Sequence, residues 1–216
     1  MRGSDFGDVL IGNDDRNYLL GNDGADTLTG NGGNDLIRGG AGGDSLSGGD
    51  GVDWLQYTGS DAGVTVDLNV DPNSGLQTAS GGDAQGDQIQ GFEYVRGSDF
   101  GDVLIGNDDR NYLIGNDGAD TLTGNGGNDL IRGGAGADRF VFEDGFGNDK
   151  ITDFDTSQAG EKIVLVGVSS ITDFADLTKN HLSQPGSDAI ITDALGNSIT
   201  LLGVDMNTLT ADGFIF

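Results

Sequence analysis

The sequence predicts an all-β fold built from short repeats, and three observations support this prediction. A nine-residue phrase, clearest in residues 39–55, has glycine at its first, second and fourth positions, aspartate at its sixth and a large aliphatic residue at its eighth. Residues 96–136 repeat residues 2–42 at 40 of 41 positions. Between the glycine-rich loops lie short segments rich in aliphatic and β-branched residues, which are typical of strands. A fixed period over many phrases indicates a solenoid-like repeat fold.

Each phrase combines a glycine-rich loop with a three-residue strand, such as 9–11 or 27–29. Glycine suits these loops because tight turns demand positive φ and a close approach of backbone segments. In the strand, the eighth-position residue points to one side and its two neighbours point to the other. We therefore expect one large aliphatic side chain per phrase to lie in the core.

The sixth position holds an acid or its amide in every phrase. At a period of nine, this position is occupied by Asp8, Asn17, Asp26, Asp35, Asp44, Asp53, Asp102, Asn111, Asp120, Asp129 and Asp138, and by Asp149 after a two-residue insertion. The opening loops depart from the phrase, because GSDFGD has Phe6 at the fourth position and GNDDRN lacks the fourth-position glycine. We expect these two loops, and their copies after residue 96, to be weaker binding sites than the regular loops.

The composition excludes several classes of function. The chain has 36 acidic and 10 basic residues, a net charge of −26, and no cysteine. This charge is typical of disorder, but a disordered acidic tail has no reason to keep a nine-residue register. No apolar run approaches the ~18 residues of a membrane span. The single histidine, His181, is expected to be a surface or packing residue, so we predict a non-catalytic module.

The pattern divides the chain into four segments. Residues 1–55 form a first repeat block, 56–95 an irregular β segment that continues or joins the blocks, 96–152 a second block, and 153–216 a non-repeat cap. Because the chain enters a repeat directly after Met1, without a basic and apolar secretory signal, we expect it to be a piece of a longer protein.

The segments between and after the repeats contain further elements. We predict a strand in 63–68, turns in 71–75 and 80–87, and a return to the repeat register in 88–95. The cap is predicted to hold a strand in 162–168, a short helix in 173–182 capped by Thr172 or Asp173, and a hairpin around 194–197.

The phrase resembles the RTX (haemolysin-type) calcium-binding nonapeptide repeat. The resemblance implies a right-handed parallel β-roll, in which every second loop stacks on the same edge and the stacked loops bind several calcium ions. Residues 153–216, with their acidic and apolar ending, resemble the C-terminal segment of RTX proteins exported by type I secretion, including serralysin-type domains. That resemblance implies an extracellular location, the type I machinery of a Gram-negative bacterium as a partner, and an export signal in the cap.

The stacked acids favour calcium as the bound cation. One aliphatic residue per phrase cannot offset the entropy of ordering the whole phrase, and stacked carboxylates add repulsion. Calcium takes six to eight oxygens from carboxylates and carbonyls, whereas magnesium demands stricter octahedra and zinc prefers cysteine and histidine. The alternative is that the acids are solvated turn residues. With two phrases per coil, the strongest expected pairs are Asp26 with Asp44, Asp35 with Asp53, Asp120 with Asp138, and Asp129 with Asp149.

One face of the first block carries aromatic, aliphatic and basic residues that recur at every second phrase. The candidate ligand surface consists of Arg16, Tyr18, Leu36, Arg38 and Trp54. Such a column suits stacking on sugar rings or packing against protein, unless residues 56–95 or the second block cover it. The chain is similar to the R modules of mannuronan epimerases, which are RTX rolls from a family with alginate-binding members. Two functions therefore stay open: a calcium-responsive folding and export module, and a polysaccharide-binding accessory module.

Overall fold

The computed structural model describes residues 1–71 and 74–216, so Pro72 and Asn73 of the predicted turn lie outside the described residues. The regular secondary structure of the described chain is almost entirely β, with a few short helical turns. It divides into two compact units, residues 1–105 and 106–216. The predicted all-β fold is confirmed, whereas the division into four segments stays a prediction.

The first unit consists of eleven short strands and one turn of 3-10 helix, Gly82–Ala84. The strands are β1 (Val9–Ile11), β2 (Tyr18–Asp23), β3 (Thr27–Gly33), β4 (Leu36–Ala41), β5 (Ser45–Gly51), β6 (Trp54–Gln56), β7 (Thr65–Asp67), β8 (Gln77–Ser80), β9 (Gln88–Gln90), β10 (Tyr94–Arg96) and β11 (Val103–Ile105). Within this unit they form two sheets, in the orders β1-β3-β5-β9-β8-β7-β11 and β10-β6-β4-β2.

Successive strands of the repeat block alternate between the two sheets. Tyr18 of β2 therefore pairs with Leu36 of β4, and Thr27 of β3 pairs with Ser45 of β5, both in parallel register. Each coil consists of two phrases and contributes one strand to each sheet. This arrangement is the parallel β-roll that the resemblance implied.

In the first repeat block, the core consists of aliphatic side chains between the two sheets. The eighth-position residues that are fully or almost fully buried are Leu19, Leu28, Ile37, Leu46 and Leu55. Since only one such side chain enters the core per strand, the hydrophobic contribution of each phrase is small.

Residues 56–95 lie in the same compact unit as the first block. The predicted return to register is confirmed, because β9 pairs with β5 and β10 pairs with β6, both in parallel. The predicted strand in 63–68 is present as β7. Strand β8 is antiparallel to both β7 and β9, which makes this part of the sheet irregular.

The second unit also contains coils of two strands and ends in a cap. Its strands are β12 (Tyr112–Asp117), β13 (Thr121–Thr123), β14 (Leu130–Ala135), β15 (Arg139–Glu143), β16 (Asn148–Ile151), β17 (Lys162–Gly167), β18 (Leu182–Ser183), β19 (Ala189–Thr192), β20 (Ser198–Leu201) and β21 (Phe214–Ile215). Within this unit the sheet orders are β13-β15-β17-β21 and β18-β19-β20-β16-β14-β12.

The cap contains the predicted strand, helix and hairpin. Strand β17 pairs with β15, and β19 and β20 form the antiparallel hairpin around 194–197. The helix runs over Phe174–Asp176, capped by the Asp173 carboxylate, and continues as a π-helical turn over Leu177–His181. Half-buried His181 places its Nδ1 2.7 Å from the Thr192 carbonyl, so it is a packing residue. Two further 3-10 turns cover Met206–Thr208 and Ala211–Gly213.

Among residues 1–71 and 74–216, no helix is both long and apolar enough to cross a membrane.

Candidate metal centre

The regular loops contain two left-handed backbone positions each. In the loop that begins at Gly39, the second-position Gly40 has φ 107° and the fourth-position Gly42 has φ 131°. In the loop that begins at Gly21, the second position is Asn22 with φ 83°, since asparagine tolerates this conformation better than most residues. A Cβ at Gly42 would lie 1.9 Å from the carbonyl oxygen of Gly24 in the preceding coil, so only glycine fits there.

The stacking of loops brings the predicted pairs of sixth-position acids together. One carboxylate oxygen of each acid accepts the backbone N–H of its counterpart one coil earlier. These N–H···O distances are 2.9 Å for Asp26 to Asp44, 2.7 Å for Asp35 to Asp53, 3.0 Å for Asp120 to Asp138 and 2.8 Å for Asp129 to Asp149. All eight side chains are buried. The reading of these acids as solvated turn residues is therefore wrong.

In four acids of the first unit, the second oxygen is buried and has no hydrogen-bond donor among the described residues. These are the Oδ2 atoms of Asp26, Asp35, Asp44 and Asp53. A buried carboxylate oxygen without a partner is costly, because it loses its hydration and gains nothing in return. The unsatisfied oxygens therefore point to a cation.

At two of these acids, a carbonyl oxygen of the next coil comes close to the second carboxylate oxygen beside the first-position glycine, which has no side chain to separate them. A Cβ at Gly21 would lie 2.2 Å from Asp26 Oδ2 and 2.4 Å from the carbonyl oxygen of Gly39 in the next coil. At Gly30, the corresponding distances to Asp35 Oδ2 and the Gly48 carbonyl are 2.1 and 2.4 Å. Carboxylate and carbonyl oxygens from two loops form a donor set that fits calcium.

The donor set does not fit zinc. In the part of the chain that the structure describes, no group of three or more histidine, cysteine, aspartate or glutamate side chains could hold a metal ion. Backbone carbonyls must therefore complete any coordination sphere, as is usual for calcium and unusual for zinc.

The opening loops differ from the regular loops because their own backbone already satisfies the sixth-position side chain. Ser4 donates to Asp8 Oδ2 through its backbone N–H, at 2.6 Å, and through its hydroxyl, at 2.9 Å. Asn13 N–H donates to Asn17 Oδ1 at 2.7 Å. In the copied loops, Ser98 N–H donates to Asp102 and Asn107 N–H donates to Asn111.

Burial raises the pKa of several regular acids. Mainly through desolvation, the pKa is raised to about 6 for Asp44, to about 7 for Asp129 and to about 8 for Asp149, and neighbouring acids contribute to the rise at Asp44 and Asp149. The pKa values of Asp53 and Asp138 are raised for the same reason. A bound cation would favour the charged forms, so cation binding and proton release are coupled.

Sequence reasoning missed two acids that take the sixth position where the irregular segment returns to the roll. Asp44 N–H donates to Asp87 Oδ1 at 2.8 Å, and Asp53 N–H donates to Glu93 Oε2 at 2.9 Å. The signal was present, because each acid stands two residues before a buried aliphatic, Ile89 or Val95.

A third missed acid, Glu161, lies in the second unit. It immediately precedes Lys162, which pairs with Arg139, and therefore stands opposite Asp138 in the register. Glu161 accepts the N–H of Asp155 at 3.0 Å, and its burial raises its pKa to about 7. It too precedes a fully buried aliphatic residue, Ile163, by two positions.

The candidate ligand surface forms a column along β2, β4, β6 and β10. Tyr18, Leu36 and Trp54 are in register with one another, and Tyr94 extends the column by one strand. The Trp54 and Tyr94 rings meet edge to face at 5.0 Å, and Arg96 lies 5.9 Å from the centre of the Trp54 ring. None of these residues is buried, so residues 56–95 do not cover the column.

The two arginines of the predicted surface lie in different surroundings. Arg16 is exposed, whereas Arg38 is half-buried on β4. The positive charge of Arg38 partly counters the burial that raises the pKa of Asp83.

Comparison with known proteins places these features in context. The profile of the RTX calcium-binding nonapeptide repeat matches residues 2–37, 29–56, 87–122, 96–131 and 114–151, which together exceed half of the chain. Among solved structures, the extracellular lipase LipA from Serratia marcescens is similar at 21% sequence identity and a TM-score of 0.41. The alignment covers 99% of this chain and 39% of the lipase chain. No curated protein matches the chain.

Proposed function

The chain belongs to the RTX calcium-binding nonapeptide-repeat family, and we propose that it folds on binding extracellular calcium and so supports the export and stability of a larger secreted protein. The observation that carries this proposal is the set of buried sixth-position carboxylates whose second oxygen has no donor among the described residues. The role is structural and not catalytic.

The physical reason for calcium dependence lies in the thin core and the stacked acids. In the first repeat block, one aliphatic residue per strand enters the core, while the acids of stacked loops are buried against each other. Without a counter-charge, desolvation and repulsion oppose the roll. Bound calcium would supply positive charge and oxygen coordination between neighbouring coils. Because the two halves of each site come from different coils, the site exists only in the folded chain, and binding stabilises folding.

The proposed ligands are the sixth-position side chains together with carbonyls of first-position glycines. The regular acids are the strong ligands, whereas Asp8, Asn17, Asp102 and Asn111 are the weak ones, since their own loops already donate to them.

The proposed role in export rests on the cap. We propose that residues 153–216 carry a type I secretion signal of a Gram-negative bacterium and also close the last coil of the second unit. The C-terminal phenylalanines support the closing role, because Phe214 packs 5.6 Å from Phe174 and β21 pairs with β17. Export with the C-terminus first would deliver the cap into calcium-rich surroundings before the repeats.

Circular dichroism with and without calcium tests the proposal. In chelator we expect the chain to lack most of its β signal, because burial does not offset chain entropy and carboxylate repulsion. Addition of calcium in the millimolar range of extracellular modules should restore the signal. A β signal that calcium leaves unchanged would contradict the proposal.

We propose polysaccharide binding as a second candidate function, favoured by the partly exposed aromatic column that Tyr94 extends. Tyrosine and tryptophan faces suit sugar rings, and the flanking arginines suit hydroxyl or carboxylate groups. The charge of −26 opposes an acidic polysaccharide such as alginate unless calcium is bound. Trp54→Ala should abolish polysaccharide retention while calcium-induced folding stays intact. Unchanged retention would remove this candidate.

A further inference from the structure

We infer that Asp53, Gly91 and Glu93 form a calcium site of mixed origin, in which the irregular segment supplies the second loop. This inference rests on the proposed calcium-dependent folding and adds a ligand that lies outside the regular nonapeptide spacing. Glu93 stands 40 positions after Asp53, whereas Asp53 stands 18 positions after Asp35 in the regular stack.

The strand register places Glu93 opposite Asp53. Trp54 pairs with Tyr94 and Leu55 pairs with Val95, in the same parallel arrangement that joins the regular coils. Asp53 N–H donates to Glu93 Oε2 at 2.9 Å, just as Asp35 N–H donates to Asp53 Oδ1 at 2.7 Å. Glu93 therefore occupies the position of the next sixth-position acid in the stack.

Asp53 carries the unsatisfied oxygen that a cation would meet. Its side chain is completely buried, and Oδ2 has no hydrogen-bond donor in the described chain. Gly48 allows two oxygens to come close, since a Cβ there would lie 2.0 Å from the Gly91 carbonyl oxygen and 2.7 Å from Asp53 Oδ2. The Asp53 carboxylate and a carbonyl of the next coil thus converge beside Gly48, as the corresponding groups do beside Gly21 and Gly30.

The longer side chain of glutamate is compatible with this role. Calcium accepts carboxylates in monodentate or bidentate form and tolerates irregular geometry. After the irregular segment, β10 pairs with β6 in the regular register. The additional methylene group of glutamate therefore extends the reach of the carboxylate but does not move it to the other side of the sheet.

The opposite edge of the roll shows what the irregular segment does where it does not build a site. There Asp87 faces Asp44, but both Asp87 oxygens are engaged, Oδ1 by Asp44 N–H at 2.8 Å and Oδ2 by the Tyr57 hydroxyl at 2.9 Å. On this edge, the Tyr57 hydroxyl occupies the last acid of the stack, Asp87. On the other edge, the segment 56–95 continues the stack with Glu93.

The sole tryptophan of the chain stands next to Asp53 and provides a local readout. Terbium(III), which occupies oxygen-rich calcium sites, emits when a nearby indole is excited. We would measure bound calcium per chain by native mass spectrometry, and Trp54-sensitised terbium emission, for the full chain and for Glu93→Gln. The matched control is Glu143→Gln, which removes the same charge from an exposed position of the second unit.

Glu93→Gln should lose about one calcium ion per chain and much of the Trp54-sensitised emission, whereas Glu143→Gln should keep both. A folded Glu93→Gln chain with an unchanged ion count and unchanged emission would overturn the site. If Glu93→Gln does not fold, Glu93→Asp keeps the charge but shortens the reach. It should weaken the binding of one ion, and unaltered binding would equally overturn the inference. A parent chain that binds no calcium would instead refute the proposed function.

Discussion

The opening loops and the regular loops of the first unit share a register but differ in what their backbone does. In the regular loop 21–26, two left-handed residues shape the turn, and Asp26 Oδ2 is left without a donor among the described residues. In the opening loop 3–8, Ser4 donates twice to Asp8 and takes up that oxygen. The comparison teaches that an acid at the sixth position is not enough. We propose that a calcium ligand here also requires a turn whose own N–H groups do not donate to it.

The largest expected effect comes from adding a Cβ to the first-position glycine of a regular loop. In Gly21→Ala, the new Cβ would lie 2.2 Å from Asp26 Oδ2 and 2.4 Å from the backbone oxygen of Gly39. We expect calcium-induced folding of the first unit to be lost, as followed by circular dichroism. Gly186→Ala is the control, because a Cβ there has no atom within 4 Å. Equal calcium-induced folding of the two variants would show that the missing side chain of Gly21 is not needed.

Removal of a regular acid should have the next largest effect. Asp44→Ala deletes the acceptor of the buried Asp26 N–H, and an unsatisfied buried donor costs ~1–3 kcal/mol. We expect the calcium midpoint of folding to rise about tenfold or more, since ~1.4 kcal/mol corresponds to a factor of ten. Asp14→Ala, at an exposed third position of an opening loop, should leave the midpoint within about twofold. Similar midpoints for the two variants would mean that the register of the ligands is wrong.

The raised pKa values of the regular acids predict opposite pH effects with and without calcium. The folded pKa values of Asp44, Asp129 and Asp149, about 6, 7 and 8, exceed the ordinary value of about 4. Protonation therefore stabilises the metal-free roll fully below pH ~4, and this contribution is lost as the pH rises through these folded pKa values. In chelator the β signal should increase as the pH is lowered from ~8 to ~5.

With calcium present, the same titration works against binding, because protons compete for the carboxylates. The calcium concentration needed for half-maximal folding should therefore rise as the pH falls from about 8 to about 6. Circular dichroism titrations at several pH values check both directions. A calcium midpoint independent of pH would indicate that these acids are not the ligands.

The smallest expected effect comes from restoring the acid in an opening loop. Asn17→Asp adds the missing charge, but Asn13 N–H still donates to the side chain of residue 17. We expect calcium affinity to improve by only about twofold, comparable to an exposed ion pair. Isothermal titration calorimetry measures the change. A gain as large as the loss in Asp44→Ala would show that the amide, and not the turn, weakens this loop.

The repeat register made the roll predictable, because position in the phrase determines both burial and chemistry. Leu28 and Asp26 are placed correctly by counting alone, since every regular coil consists of two phrases of equal length. Counting fails where the excursion 56–95 changes the length of the coil, and Asp87 and Glu93 were therefore missed. In the cap, local signals predicted the helix and its Asp173 cap, but not its π-helical turn over Leu177–His181, which depends on packing against β18 and β19.

The repetition of the coil has a consequence for how the chain finds its fold. A slip of one whole coil keeps every sixth-position acid and every eighth-position aliphatic residue in an equivalent place, so the repeats alone leave the pairing degenerate. Residues outside the repeat resolve the degeneracy. Buried Gln77 donates to the carbonyls of Leu68 and Phe92 and accepts the N–H of Phe92, and the buried Tyr57 hydroxyl donates to Asp87. A slipped chain loses these contacts, so the irregular segment determines which coils pair with one another.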